Sequence, residues 1–328
     1  MCILCAFISA WWGLQLDGRA GMFQALWVFL ILLILEISLS FDNAVVNASV
    51  LKHWDKFWQM LFLTLGILVA VFGMRLLFPL VIVGFTTNLS LVETWNLAIQ
   101  KPTEYSVILM EHHAQISAFG GIFLLLIFLN FFMTSKKEVL WIPFIERPME
   151  QLGKFQGFPV LITLTLLTLV TSNLDSEERT SILNFGIVGL LTYLAISVLS
   201  QALEKKGLDA AEAIKKGSIG GFIYLEVLDA SFSIDAVVGA FAITKDIVII
   251  MLGLGAGAMA VRSITIYLVK KKTLNELIFL EHGAHYAIGA LAIIMIASVQ
   301  LHIPEIITGT IGLVLVAAAA ISSIKHKK

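Results

Sequence analysis

Charge-free stretches decide what this chain can become. Between Phe57 and Met74, between His112 and Ser135, and between His282 and Pro304 there is no Asp, Glu, Lys or Arg. A helix of about 20 such residues crosses a hydrocarbon core with all its backbone hydrogen bonds made internally. Of the 328 residues, 59% are apolar and only 14% charged, far below the roughly 25% charged residues of soluble domains. The sequence therefore predicts an all-α integral membrane protein. The net charge of −1 carries little information, because the charges fall into short runs between apolar blocks. Cys2 and Cys5 have no second Cys or His pair of the kind a zinc site needs, and read as packing or lipid-facing residues.

Ten apolar segments are candidates for crossing. They run approximately over 1–14, 22–51, 57–83, 112–133, 158–173, 182–203, 218–244, 247–269, 282–299 and 306–324. The first has no basic region ahead of it and is followed at once by a longer apolar block, so it reads as a helix and not as a signal peptide. Threaded through ten crossings, sixteen of the 22 Lys and Arg residues fall on one side and four on the other. The remaining two, Arg75 and Arg262, fall inside spans. The positive-inside rule then places both termini in the cytoplasm, with the protein in the cell (inner) membrane.

The chain also repeats itself. Glu36-Ile-Ser38-Leu-Ser40-Phe-Asp42-Asn43 in the second span returns as Asp229-Ala-Ser231-Phe-Ser233-Ile-Asp235-Ala236 in the seventh. Arg75 in the third span is matched by Arg262 in the eighth. Glu111-His112 at the start of the fourth is matched by Glu281-His282 at the start of the ninth. Equivalent spans are five apart, so the halves 1–173 and 174–328 cross in opposite directions, an inverted five-plus-five repeat of the kind secondary transporters use. The extra stretch from Gly84 to Ser106 in the first half is expected to be an external loop.

Five acids, Glu36, Asp42, Glu226, Asp229 and Asp235, lie within apolar spans, at roughly 2.5–3.5 kcal/mol each near a helix centre. Arg75 and Arg262 offset two of them, and a bound divalent cation, with one or more protons, is the simplest way to neutralise the rest. On an unbroken helix Glu36 and Asp42 would point about 120° apart, as would Asp229 and Asp235. Interrupted helices at mid-membrane are therefore expected at the serine-rich runs 38–40 and 231–233. Opened there, backbone carbonyls could join Asp42, Asp235, Asn43, Glu36 and Asp229 in an all-oxygen shell suited to Mn2+, Mg2+ or Ca2+. Glu36, Asp229, Arg75 and Arg262 fit inter-helix charge pairing equally well. Glu226, present in one half only, is a candidate proton site. Glu111, His112, Glu281 and His282, at the mouths of their spans, read as gate or proton-relay groups or as interfacial residues.

These motifs, with Phe72-Gly-Met-Arg75, Phe241-Ala-Ile-Thr-Lys-Asp246 and Arg262-Ser-Ile-Thr-Ile-Tyr-Leu268, resemble the TerC family of integral membrane proteins. The likeness is to a subgroup long labelled only as a domain of unknown function, and it runs from about Met22 to Val299. The family is similar to the LysE group of exporters. The resemblance implies association with tellurium resistance and export of manganese or a similar ion, with Asp42 and Asp235 as the matching acids. Asn43 has Ala236 as its counterpart, and the second motif reads Phe-Ser-Ile-Asp-Ala in place of the Phe-Ala-Val-Asp-Ser of better known members. The expected partners are thus a divalent metal ion and the lipid bilayer, with no nucleic acid, no resident cofactor and no enzymatic activity. A non-transporting membrane scaffold is the alternative. An intramembrane aspartyl protease is remote, since the Tyr-Asp and Gly-x-Gly-Asp motifs of such enzymes do not occur.

Overall fold

In the computed structural model the described residues are 2–87, 89–133, 139–155, 157–203, 217–270, 277–301, 303 and 305–326. Among them every regular element is helical and there is no strand. In chain order the helices are α1 (Cys2–Leu39), α2 (Phe41–Leu51) and α3 (Lys56–Leu68). A π-helical stretch (Val69–Leu77) leads on to α4 (Phe78–Thr87), α5 (Leu91–Gln100), α6 (Pro102–Glu111), α7 (His113–Met133), α8 (Pro143–Leu152) and α9 (Phe158–Thr171). The second half holds α10 (Ser176–Leu203), α11 (Ile219–Ile243), α12 (Ile247–Lys270), α13 (Leu280–Ala297) and α14 (Glu305–His326). Among the described residues, six helical stretches are long and apolar enough to cross a membrane: Cys2–Leu39, Lys56–Val81, His113–Met133, Ser176–Leu199, Ile247–Lys270 and Leu280–Ala297. Phe158–Thr171 and Thr310–His326 are shorter apolar helices. The 25 residues of α11 carry three acids, Glu226, Asp229 and Asp235.

The first helix is two arms. Asp17 (φ −145°, ψ 37°) and Gly18 (φ 58°, ψ −143°) leave the helical region, and the chain doubles back on itself. The positive φ suits glycine, which has no Cβ to collide. The arms touch so closely that a Cβ on Gly13 would stand 2.3 Å from the Gly21 carbonyl oxygen. Small residues permit this backbone approach where lipid offers no hydrophobic drive for association. Gly13→Ala is therefore expected to cost about 1–3 kcal/mol through forced separation of the arms. A lowered melting temperature of the detergent-purified protein checks this, and an unchanged one would mean that the arms are not tightly apposed.

Helices α7, α12 and α13 are buried over most of their length, whereas α1, α3 and α10 turn most of theirs outward. The outward side chains include Phe7, Trp27, Phe57, Phe72 and Val198. So large an apolar exterior is what a lipid-facing surface requires. Helix α2 is enclosed altogether, every residue from Asp42 to Leu51 being buried. The stretch expected to be an external loop, Gly84 to Ser106, is instead largely helical, with Ser90 and Glu93 closing a reciprocal capping box at the start of α5. Ser-x-x-Glu supplies partners for backbone N–H groups that a helix start leaves free, so this surface segment folds locally.

Long-range contacts sort by end. At one end the side chains of Lys52 and Glu281 pair, Phe279 N–H donates to Ser323 Oγ, and α8 lies against the end of α7. At the other, Trp12 Nε1 donates to Asp246 Oδ2 at 2.8 Å and Gln300 Nε2 donates to the Val170 carbonyl.

Candidate functional site

A helix discontinuity opens the site. Between α1 and α2, Ser40 adopts φ −107° and ψ 15°, and its Oγ donates to Glu36 Oε1 at 2.8 Å in place of capping α2. Asp42 and Asn43 occupy the first turn of α2, where free N–H groups and the helix dipole favour an acceptor. Asp42 Oδ1 accepts from Asn43 N–H at 2.9 Å. The interruption expected at 38–40 is thus present. The one expected at 231–233 is not: α11 runs through Ser231 to Ser233 as helix. Ser231 Oγ donates to the Val227 carbonyl at 3.0 Å, so the serine is satisfied within the helix and does not open it.

The six-residue spacing does not bring Glu36 and Asp42 together. Glu36 turns to α12, where a Cβ on Gly257 would stand 2.5 Å from its Cβ. Asp42 turns to α14, where a Cβ on Gly312 would stand 2.5 Å from its Oδ2. Glu36, fully buried, is paired with Arg75 Nη2, while Arg75 Nη1 donates to the Ala70 carbonyl. Arg75 lies in the π-helical stretch, a widened turn of a kind frequently found at functional sites.

The second half builds a matching but looser pair. Arg262 Nη2 lies 3.4 Å from Glu226 Oε1 and 3.4 Å from Asp229 Oδ2. Its Nη1 donates to the Phe62 carbonyl at 2.9 Å, and its guanidinium carbon sits 3.8 Å from the Phe62 ring centroid. Gly66 leaves the room, since a Cβ there would stand 2.5 Å from Glu226 Oε1 and 2.6 Å from Arg262 Nη1. Asn43 Nδ2 donates to Asp229 Oδ1, joining the two motifs across the halves. Asp235 lies on α11, but the placement of its side chain is outside the described part of the structure.

Two features point to a ligand. Asp42 is 7% exposed, and among the described residues it makes no ion pair. Glu36 Oε2, Asn43 Oδ1, Asn47 Oδ1, Glu226 Oε2 and Ser233 Oγ are buried oxygens with no hydrogen-bond partner among the described residues. Buried acceptors require a donor, a water or a cation. Among the described residues, the intramembrane acids Glu36, Asp42, Glu226 and Asp229 are matched by only two guanidinium groups, those of Arg75 and Arg262, so carboxyl groups outnumber cations by two. No three His, Cys, Asp or Glu side chains converge as a metal cluster among the described residues. The interior thus offers one carboxylate without an ion pair and several unpartnered amide, hydroxyl and carboxyl oxygens among the described residues, oxygen chemistry that suits a hard cation.

The expected mouth residues divide. Glu111 is exposed at the end of α6, and His112 is half-buried where α6 meets α7. Glu281 pairs with Lys52 at 3.1 Å, and His282 Nε2 lies 3.4 Å from Glu146 Oε2. Glu146, Asn47, Gly66, Gly257 and Gly312 are the residues that sequence reasoning missed. Asn43 and Asn47, four apart, carried a readable signal for one polar helix face. Glu146 lies on an amphipathic segment between candidate spans, which reads as a surface helix and gives no hint of His282.

Fold and site together define a polytopic helical membrane protein with paired acidic motifs in its interior. The family described as "Protein of unknown function (DUF475)" matches residues 41–328, and the chain belongs to that family. No curated protein and no solved structure matches the chain.

Proposed function

We propose that this protein carries a divalent metal cation, Mn2+ foremost, out of the cell, with Asp42 as the acid that first binds it. Asp42 carries the reading. A carboxylate enclosed by protein, without a cationic neighbour among the described residues, at a helix break and beside orphaned amide oxygens, lacks a positive charge that cargo can supply. Loose, all-oxygen ligation is also what a carrier needs, because a site that never lets go does not transport. Asp235 is the partner acid by repeat, and Glu226, Asp229 and Glu36 are groups able to exchange protons as the cation leaves.

The resemblance to the TerC family and its manganese exporters supports the ion. The inverted five-plus-five arrangement of ten crossings is supported by the way each half pairs its own acid with its own arginine, Glu36 with Arg75 and Asp229 with Arg262. It is supported as well by four contacts, Lys52–Glu281, Trp12–Asp246, Phe279–Ser323 and Gln300–Val170, each of which joins segment ends that the ten-crossing scheme puts on the same side. The cytoplasmic placement of both termini follows from the basic loops.

The arginine pairs taken alone fit a helix clamp in a membrane scaffold just as well. Asp42 separates the two readings, since a clamp has no use for an unpaired acid. Inside-out vesicles decide between them. Vesicles containing the protein should take up Mn2+ in response to a proton gradient, and those from cells lacking it should not. Equal uptake by both overturns the transport reading and leaves the scaffold.

A further inference from the structure

Helix α2 leads from Asp42 toward the basic-loop end of the bundle. Ten residues separate Asp42 from Lys52, a rise of about 15 Å. Ser40, Asn43 and Asn47 follow one another at helical spacing, and the Oδ1 atoms of both asparagines are buried without a partner among the described residues. At its C-terminal end α2 is tied to α13, on the side of the helix turned away from these asparagines. Lys52 Nζ meets Glu281 Oε2 of α13 at 3.1 Å, with about a fifth of each side chain exposed. Gln59 Nε2 donates to the Leu51 and Trp54 carbonyls at 2.8 and 2.9 Å, sealing the last turn of α2. The space left beside Leu51, Gln59 and Lys270 has room for only a few waters.

A second contact stands next to the first. Helix α8 presents Phe144 (89% exposed), Ile145 and Arg147 outward, the character of a helix lying on a membrane surface. Its Glu146 turns inward and is 1% exposed. The Glu146 carboxylate accepts from Trp141 N–H at 3.3 Å, Ile142 N–H at 3.1 Å and Tyr286 O–H at 3.4 Å, and lies 3.4 Å from His282 Nε2. The rings of Phe131 and Phe132 wall His282. Gly153, just past α8, fits against the end of α7, where a Cβ would stand 1.6 Å from the Met133 carbonyl oxygen.

We propose that Lys52–Glu281 and Glu146–His282 form a two-part latch that binds α2 and α8 to α13 and bars the route from the basic-loop end to Asp42. Glu281 and His282 are neighbours on the first turn of α13, so a shift of that one turn releases both parts together. A partly exposed ion pair is weak enough to break within a transport cycle. The inward carboxylate makes α8 a strap that leaves the protein surface only when its partner moves. The inference rests on the reading of Asp42 as a cation site reached from both sides, but its test needs no transported ion.

The reporter is Asn47→Cys in a Cys2→Ser/Cys5→Ser background, labelled from the basic-loop side of oriented vesicles with a membrane-impermeant maleimide. Labelling should be slow. Lys52→Glu should speed it about fivefold, the order of shift expected when one surface-linked pair is lost from one of two states. Glu281→Lys added to Lys52→Glu should restore the slow rate, which also shows that the single variant was folded. Glu146→Gln should speed labelling independently. Fast labelling in the background, or one rate across all variants, overturns the latch. Latch-dependent labelling, when the protein with Asn47 intact moves no Mn2+, leaves the latch standing and removes the metal reading. Unvarying labelling with Mn2+ transport intact removes the latch alone.

Discussion

Asp42→Asn is expected to abolish cation transport while leaving the protein at least as stable as before. The substitution keeps the shape of the side chain and its acceptor for the Asn43 N–H, but removes a buried negative charge that no cation offsets among the described residues. Relief of that burial is worth up to roughly 2.5–3.5 kcal/mol on the scale that applies to charges at a helix centre. A functional group that opposes stability is the signature of a site kept for chemistry. The check is paired: Mn2+ uptake into inside-out vesicles, which should fall to the background, and the melting temperature in detergent, which should hold or rise. A variant that still transports at the original rate excludes Asp42 from the pathway. A variant that melts far lower makes the acid structural instead. Gly312→Val should likewise lower transport by displacing the Asp42 carboxylate, since the added Cβ would stand 2.5 Å from Oδ2, but at a cost in stability that Asp42→Asn does not carry.

Arg75→Met should have the opposite profile. It leaves Glu36, with no exposed surface, facing an apolar side chain, and breaking one partner of a buried pair costs about 3–5 kcal/mol. Most of that loss should return in Arg75→Met/Glu36→Gln, because the penalty comes from the stranded charge and not from a missing contact. A double-mutant cycle on unfolding measures the coupling directly. If the double variant is no more stable than the single one, the pair is not what holds these helices. Together the two experiments split the acids into one that the fold tolerates and one that the fold uses.

Much of this arrangement could be read before any coordinates. The membrane class, the helical composition and the acids that lie inside it follow from hydropathy and from the intolerance of hydrocarbon for unsatisfied polar groups. The break at Ser40 was also legible, as serine, aspartate and asparagine favour helix starts. The same reasoning failed at Ser231 to Ser233, where the hydroxyl of Ser231 found a carbonyl one turn back and helix persisted. Local chemistry offered both outcomes, and surrounding packing chose. The stretch from Gly84 to Ser106 is helical where the sequence predicts a loop, because its two helices are short and partly polar.

What the sequence determined by itself was the solvent of this protein and the presence of surplus acid within it, since both depend on residue type and count. Which acid each arginine would take was decided only in three dimensions. Glu36 and Asp42 lie six residues apart, yet one is drawn to Arg75 beside Gly257 and the other faces Gly312 without a cation among the described residues. Glu146 reached His282 from a short amphipathic helix between the spans, whose pattern did not reveal its partner. Charge pairing in a low-dielectric interior acts over a few ångströms and is set by how closely backbones approach. That approach depends on glycines and helix crossings far apart in the chain, so it belongs to the fold and not to any motif.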